Sequence, residues 1–136
     1  MSSLRIADAA RLLGVSDDTV RRWLDSGRLT AETDAAGKLV IAGRDLARFA
    51  VEQASRTEML DAGPIVGASA RNRFTGIVTR VIKDTVMAQV EIQAGPFRVV
   101  SLMSAEAVDE LGLAPGVVAV ASVKSTNVVV EVPTQP

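Results

Sequence analysis

The sequence predicts a protein of two small domains, a helical domain followed by an all-β domain. Three observations support this: helical spacing of apolar residues early in the chain, five runs rich in Val, Ile and Phe late in the chain, and a connector without periodicity between them. We therefore predict a helical domain over residues 1–56, a linker over residues 57–68 and an all-β domain over residues 69–136.

The first two helices are predicted from apolar spacing and from capping residues. Apolar residues recur with helical spacing from Ile6 to Leu13, and Gly14 can adopt the left-handed conformation that ends a helix. Ser16 is a favourable N-cap for a second helix, in which Trp23 lies on the apolar stripe. Two short helices joined by such a glycine-containing turn are typical of a helix-turn-helix, and we expect Trp23 to lie in its core.

A hairpin and a third helix extend this pattern to a winged helix-turn-helix. Two short strands are predicted around a glycine turn at residues 34–38, and the third helix begins at about Arg44. The same basic residues could instead form only the solvated polar face that any surface helix needs. If the domain binds DNA, the side chains predicted to face it are Thr19, Arg21, Arg22, Arg28 and Lys38.

The motifs of this first domain are similar to those of a known family. The stretches Ile6-Ala7-Asp8-Ala9-Ala10, residues 15–23 and residues 44–49 resemble the excisionase and MerR-type winged helix-turn-helix family, over about residues 4–52. The resemblance implies binding of double-stranded DNA. The family often has paired arginines after the wing glycine, whereas Lys38 is followed here by Leu and Val. Nine basic and eight acidic side chains in residues 1–56 also predict weak binding by one copy.

Residues 59–68 are predicted to be a flexible connector because they contain two glycines, one proline and no apolar periodicity. An alternative is that Ile65 and Val66 add an edge strand to the second domain.

The second domain is predicted to be an OB-like five-stranded barrel with one short helix. Between the third and fourth strands, Ser104 can cap a helix that Gly112 ends. The five predicted strands are residues 74–81, 87–92, 97–102, 117–123 and 128–132.

The second domain also carries motifs of a known family. They are Ser69-Ala70-Arg71-Asn72, then Gly76, the helical stretch at residues 106–113, and Val123-Lys124-Ser125-Thr126-Asn127-Val128. Together they resemble the Mop, or molbindin, version of the TOBE domain over about residues 69–133. The resemblance implies a homo-oligomer that binds a tetrahedral oxyanion, molybdate or tungstate, at sites between subunits.

The residue types in these motifs suit such a ligand. A dianion with four oxygens needs several hydrogen-bond donors and one or two positive charges. Each residue also has a purely structural interpretation, since Ser104 would cap its helix in any case and the charged residues would discourage edge pairing. Asn72 is predicted to hold the turn before the first strand. The predicted oxyanion ligands are Ser69, Arg71, Ser104, Lys124, Ser125 and Thr126.

Where the family often has a second hydroxyl in the helix start, this chain has Ala107. The loss of one neutral hydrogen bond would cost about 0.5 to 1.5 kcal/mol of binding free energy.

Composition narrows the functional classes. The chain has no histidine and no cysteine, which removes the usual general base, thiol nucleophile and zinc ligands, so we expect neither an enzyme nor a cation cofactor. No apolar run approaches the roughly 20 residues that cross a bilayer, and the first residues lack a secretory pattern, which predicts a cytoplasmic protein without membrane contact. Two thin cores without disulfides predict an obligate oligomer.

Three functions are compatible with these features. The first is a molybdate-responsive transcription regulator, in which the anion changes how paired helix-turn-helix domains are arranged on DNA. The second is an oligomeric molybdate storage protein whose helix-turn-helix serves assembly, which the near-neutral first domain favours. The third is a barrel that only multimerises a DNA-binding head and ignores the anion.

Overall fold

The structure is a computed structural model that describes residues 2–134. The chain divides into two compact units: the first comprises the residues up to Glu58 together with those from Val132 onward, and the second spans Met59–Glu131. Among residues 2–134, no helix combines the length and the apolar character that crossing a membrane requires.

The first unit combines three helices with a small antiparallel sheet of strand order β1-β3-β2. Strand β1 was not predicted, because its three residues carry no recognisable pattern and form a strand only by pairing with β3, where Leu4 lies opposite Ile41. The elements are β1 Ser3–Arg5, α1 Ile6–Leu13, α2 Asp17–Asp25, β2 Glu32–Thr33, β3 Leu39–Ala42 and α3 Gly43–Arg56.

The predicted helix-turn-helix is confirmed. Gly14 ends α1 with φ of 68°, and the Ser16 hydroxyl accepts a hydrogen bond of 3.1 Å from the Thr19 N–H at the start of α2. Trp23 is buried, with its ring centroid 4.8 Å from that of Phe49, as its place on the apolar stripe predicts. The predicted hairpin is also present as the β2–β3 pair.

Residues 58–71 contain no helix or strand, and their only assigned feature is a bend at Ser69. Ile65 and Val66 therefore do not form the alternative edge strand. Both side chains are exposed.

The second unit is a four-stranded antiparallel sheet of order β6-β5-β4-β7, with one helix packed on it. Ser104 caps this helix by accepting a 3.1 Å hydrogen bond from the Ala107 N–H, and Gly112 ends it with φ of 64°. The elements are β4 Asn72–Lys83, β5 Met87–Ala94, β6 Phe97–Ser104, α4 Ala105–Leu111, β7 Val118–Val123 and a 3-10 turn Ser125–Asn127.

Strand β4 extends through the whole sheet. Its first half pairs with β7 from Asn72 to Ile77, and its second half pairs with β5 from Ile77 to Lys83. Gly76 permits the close approach of β4 and β5, since a Cβ at this position would lie 2.4 Å from the carbonyl oxygen of Gln93. Because β4 pairs with β7 in its first half and with β5 in its second half, its first and last residues lie at opposite ends of the sheet.

The fifth strand of the predicted barrel is not confirmed. Residues 128–132 form no strand in the described structure, and β6 and β7 are both edges, so the sheet stays open. The valines of this run are exposed, Val129 by 84% and Val130 by 82%. High strand propensity is realised only when a neighbouring strand accepts the pairing, and among residues 2–134 no such strand pairs with this run.

Candidate functional sites

Two of the predicted oxyanion-binding segments meet at the first residue of β4. Asn72 lies opposite Val123 in the β4–β7 pair, and its side-chain amide donates a 3.1 Å hydrogen bond to the Val123 carbonyl. Arg71 directly precedes Asn72, and Lys124 directly follows Val123. The pairing therefore brings the backbones of Arg71 and Lys124 side by side, and Asn72 has a structural role across strands rather than within a turn.

The side chains at this end of the sheet are available to a ligand. Ser69, Arg71, Lys124, Ser125 and Thr126 are all exposed. The Arg71 guanidinium has a 3.5 Å contact from Nη1 to the Ala68 carbonyl, which is weak and leaves most of its donors unused by that contact. Two cations and three hydroxyls thus lie in two neighbouring segments, the combination that a tetrahedral dianion requires.

The lysine segment has a fixed backbone. The Asn127 N–H donates to the Lys124 carbonyl at 2.9 Å, and the Val128 N–H donates to the Ser125 carbonyl at 3.3 Å. These bonds define the 3-10 turn that directs the chain away from β7 after Lys124.

Ser104 lies at the opposite end of the sheet. It is paired with Met87, the first residue of β5, while Lys83, the last residue of β4, is paired with Ala88. The twelve residues of β4 correspond to about 36 Å of strand between this end and Arg71. One protomer therefore does not bring Ser104 together with the other five predicted ligands.

The Ser104 hydroxyl can serve as a cap and as a ligand at once. Its oxygen accepts from the Ala107 N–H, while its proton is free of that bond and can be donated. Lys83 adds a cation at this end and lies outside the predicted set. Its Nζ is 2.6 Å from the Asp109 carboxylate, a contact that depends on the position of α4 on the sheet.

The first unit has a basic groove between α2 and the hairpin. Arg5, Arg21 and Lys38 line this groove together with Asp17 and Leu39. Arg5 was not predicted, because its place beside the hairpin depends on β1 pairing with β3. Three cations beside the second helix can contact phosphate groups.

The other predicted DNA-facing residues occupy different positions. Arg22 donates from Nη2 to the Thr19 hydroxyl at 3.1 Å, on the exposed side of α2. The Arg28 guanidinium lies 5.4 Å from the centroid of Phe49 and donates to the Gln53 side chain at 2.9 Å. Arg28 thus packs against α3 and lies outside the basic groove, on which only Arg21 and Lys38 of the predicted set converge.

Asp34 fixes the hairpin that carries Lys38. Its carboxylate accepts hydrogen bonds of 2.9 Å from the N–H groups of Lys38 and Ala36. The Lys38 N–H is the largest cause of a lowered Asp34 pKa, and the Ala36 N–H and the charge of Arg5 act in the same direction, against a raising effect of desolvation.

We expect Asp34→Ala to lower the midpoint of thermal unfolding at pH 7. Because the folded-state pKa is below the ordinary value of 3.8, the carboxylate stabilises the fold above that value and loses this effect as the pH falls through the folded-state pKa. The difference between variant and wild type should therefore shrink in acid. Asp34→Asn, which keeps an acceptor without the charge, is the matched control and should show a smaller loss. An Asp34→Ala deficit that is unchanged at pH 2 would contradict this assignment.

Comparison with known proteins assigns both units to families. Residues 68–130 match the TOBE domain, and residues 3–54 match a helix-turn-helix domain. Molybdenum-pterin-binding protein 2 of Clostridium pasteurianum is 40% identical over 63 residues, which are 46% of this chain and 93% of that protein. Molybdenum-pterin-binding protein 3 of the same organism is 38% identical over the same shares.

Two solved structures are similar to the second unit. A molybdate binding protein from Sporomusa ovata is 30% identical with a TM-score of 0.47, over 48% of this chain and 98% of that one. MopII from Clostridium pasteurianum is 37% identical with a TM-score of 0.46, over 48% of this chain and 100% of that one.

Proposed function

This chain belongs to the family of TOBE-domain molybdenum-pterin-binding proteins, and we propose that it is a molybdate-responsive, DNA-binding transcription regulator. Molybdate or tungstate binds between subunits of a homo-oligomer, and the helix-turn-helix domain binds double-stranded DNA. The observation that carries the intersubunit site is the separation of its ligands: five lie at one end of β4, and Ser104 lies at the other. A site that uses both ends needs two copies of the chain.

In the proposed site, one subunit supplies Ser69, Arg71 and the Lys124-Ser125-Thr126 segment, and a second subunit supplies the Ser104 hydroxyl. Two cations balance the charge of the dianion, and the hydroxyls donate to its remaining oxygens. No cation cofactor takes part. In this proposal, residues 1–56 form a DNA-binding domain, residues 57–68 form a linker and residues 69–136 form an oxyanion-binding domain.

Exposed apolar side chains on the sheet support the homo-oligomer. Ile82, Met87 and Leu102 line one depression on the outer face of β4, β5 and β6, and all three are exposed in the protomer. A sheet this small gains stability when a second copy covers such a surface.

We expect calorimetric titration to give molybdate and tungstate dissociation constants below about 1 μM. Sulfate should bind far more weakly, because it is a smaller tetrahedral anion whose oxygens would reach fewer donors in a site that holds molybdate. Equal affinity for sulfate would refute the site. An oligomer without affinity for any of the three anions would indicate a barrel that only multimerises the first domain.

Storage of molybdate is the second candidate function. It is favoured by the near balance of basic and acidic side chains in the first domain. The basic groove at Arg5, Arg21 and Lys38 favours the regulator. The two functions differ in whether DNA affinity and molybdate affinity depend on each other, since linkage requires the effect to be reciprocal.

A further inference from the structure

The basic groove of the first unit contains one carboxylate, that of Asp17. Asp17 is the first residue of α2, it is exposed, and it lines the groove together with Arg5, Arg21 and Lys38. A negative charge at this place repels the phosphate groups that the three cations attract. A groove that bound only phosphate would therefore bind it more tightly without Asp17.

The structural roles open to Asp17 within the protomer are filled by its neighbours. Ser16 is the N-cap of α2, and its hydroxyl accepts the hydrogen bond from the Thr19 N–H. Asp18 lies in the same first turn and places a negative charge at the positive end of the helix. Within residues 2–134, the Asp17 carboxylate forms no hydrogen bond and no ion pair, although Arg21 lies one turn further along α2. Its oxygens are available to a ligand.

The position of Asp17 in the helix-turn-helix identifies the chemistry of that ligand. The second helix of this motif lies in the major groove of DNA, and the residues at its N-terminal end contact the edges of the bases. The donors that the major groove offers to a carboxylate are the amino groups of cytosine and adenine. Adenine carries the acceptor N7 beside its amino group, whereas cytosine has no acceptor of its own on this edge. A carboxylate is therefore better matched to cytosine.

We infer that Asp17 is a specificity-determining residue, whose carboxylate accepts a hydrogen bond from the N4 amino group of a cytosine in the major groove. The inference rests on the DNA binding in the proposed function and names the base that this domain selects. Arg5, Arg21 and Lys38 attract the phosphate backbone of any sequence. Where no cytosine faces Asp17, its carboxylate loses water without gaining a donor, and binding is weakened.

Selection from a pool of DNA duplexes with a randomised centre tests this inference. The full-length wild type is incubated with the pool, with and without sodium molybdate, and the bound DNA is sequenced. The selected site should contain a cytosine whose replacement by another base weakens binding about 5- to 160-fold, the effect of one discriminating base contact. Fluorescence anisotropy with the selected duplex and its three single-base replacements at each cytosine measures these factors.

Two substitutions at Asp17 should change the preference at one of these cytosines. Asp17→Ala should bind the four bases there nearly equally, because the acceptor is gone. Asp17→Asn should prefer adenine there, because a side-chain amide pairs with both N6 and N7 of adenine. Each preference is a ratio of affinities, so the general gain in DNA affinity from removing one negative charge cancels.

Asp18→Ala is the matched control. Asp18 has the same side chain in the same turn of α2 and is also exposed, but it does not line the basic groove. Its loss should remove a similar helix-dipole interaction and leave the cytosine preference unchanged. Thermal unfolding of all three variants shows whether they fold. Asp17→Asn retains the shape of the side chain and keeps the test available if Asp17→Ala unfolds.

The outcomes separate this inference from the proposed function. Loss of one cytosine preference in the Asp17 variants, with its retention in Asp18→Ala, supports the inference. Unchanged preferences in the Asp17 variants, an equal loss in Asp18→Ala, or a wild type that binds all duplexes alike would overturn the role of Asp17 and leave DNA binding standing. A wild type that binds no duplex, with or without molybdate, would refute both.

Discussion

Replacing Lys124 with alanine is expected to weaken molybdate binding by a factor of about 30. The expected loss of about 2 kcal/mol is that of one charge-assisted hydrogen bond to a desolvated dianion. Lys124 is exposed in the protomer and its backbone conformation is set by the 3-10 turn, so removing its side chain should leave the fold intact. Calorimetric titration of wild type and variant with molybdate measures the effect.

Lys38→Ala is the matched control for this experiment. Lys38 belongs to the first unit, so its loss should leave molybdate affinity unchanged. Ser104→Ala removes one neutral donor and should weaken binding about 2- to 13-fold, from a loss of about 0.5 to 1.5 kcal/mol. Unchanged affinity in Lys124→Ala, with unchanged subunit number by native mass spectrometry, would remove Lys124 from the site.

Features set by neighbours along the chain could be predicted from the sequence. Gly14 and Gly112 end their helices in the left-handed conformation, and Ser16 and Ser104 cap the helices that follow them. Each depends on hydrogen bonds that span only a few residues, so residue type and spacing suffice.

Features set by pairing between distant segments could not be predicted in the same way. The place of Arg5 beside the hairpin needs the register of β1 on β3, and the distance from Ser104 to Arg71 needs the register of three strand pairs. At residues 128–132 the sequence predicted a strand that the described structure does not contain. Their composition predicts a strand, but whether a strand forms depends on a partner edge that composition does not identify.

Breaking the oligomer is expected to lower DNA affinity by a factor of 10² to 10⁴, the range in which linked binding modules gain from effective concentration. One head presents few cations, since its basic groove contains Arg5, Arg21 and Lys38 beside Asp17. Two heads on one DNA would together make enough phosphate contacts for stable binding.

Val130→Pro should have this effect. Val130 belongs to an exposed run of valines that a second copy would cover in the proposed homo-oligomer, so a rigid proline there should weaken the assembly. Val130 lies off the sheet in the protomer, so the circular dichroism spectrum should not change. Val66→Pro, a valine-to-proline change at an exposed linker position, is the matched control and should keep both subunit number and DNA affinity. Sedimentation and fluorescence anisotropy measure the two quantities, with the DNA chosen by genome-wide pulldown using wild type. A monomeric Val130→Pro that binds DNA as tightly as wild type would contradict the requirement for two heads.

Arg21→Ala tests DNA binding by the helix-turn-helix domain separately from oligomerisation. The substitution should leave the subunit number unchanged. If Arg21 contacts a base, it should cost about 1 to 3 kcal/mol of DNA-binding free energy and alter the base preference. If Arg21 contacts phosphate, it should weaken binding to all DNA sequences alike. The DNA affinity of the wild type should fall steeply with salt concentration, because phosphate contacts release counterions.

Molybdate should change the DNA affinity of the wild type, and DNA should change the molybdate affinity by the same factor, because both ligands bias one equilibrium between subunit arrangements. If the genome-wide pulldown recovers no enriched DNA sequence, with or without molybdate, the result would favour molybdate storage, because a transcription regulator needs a specific DNA site.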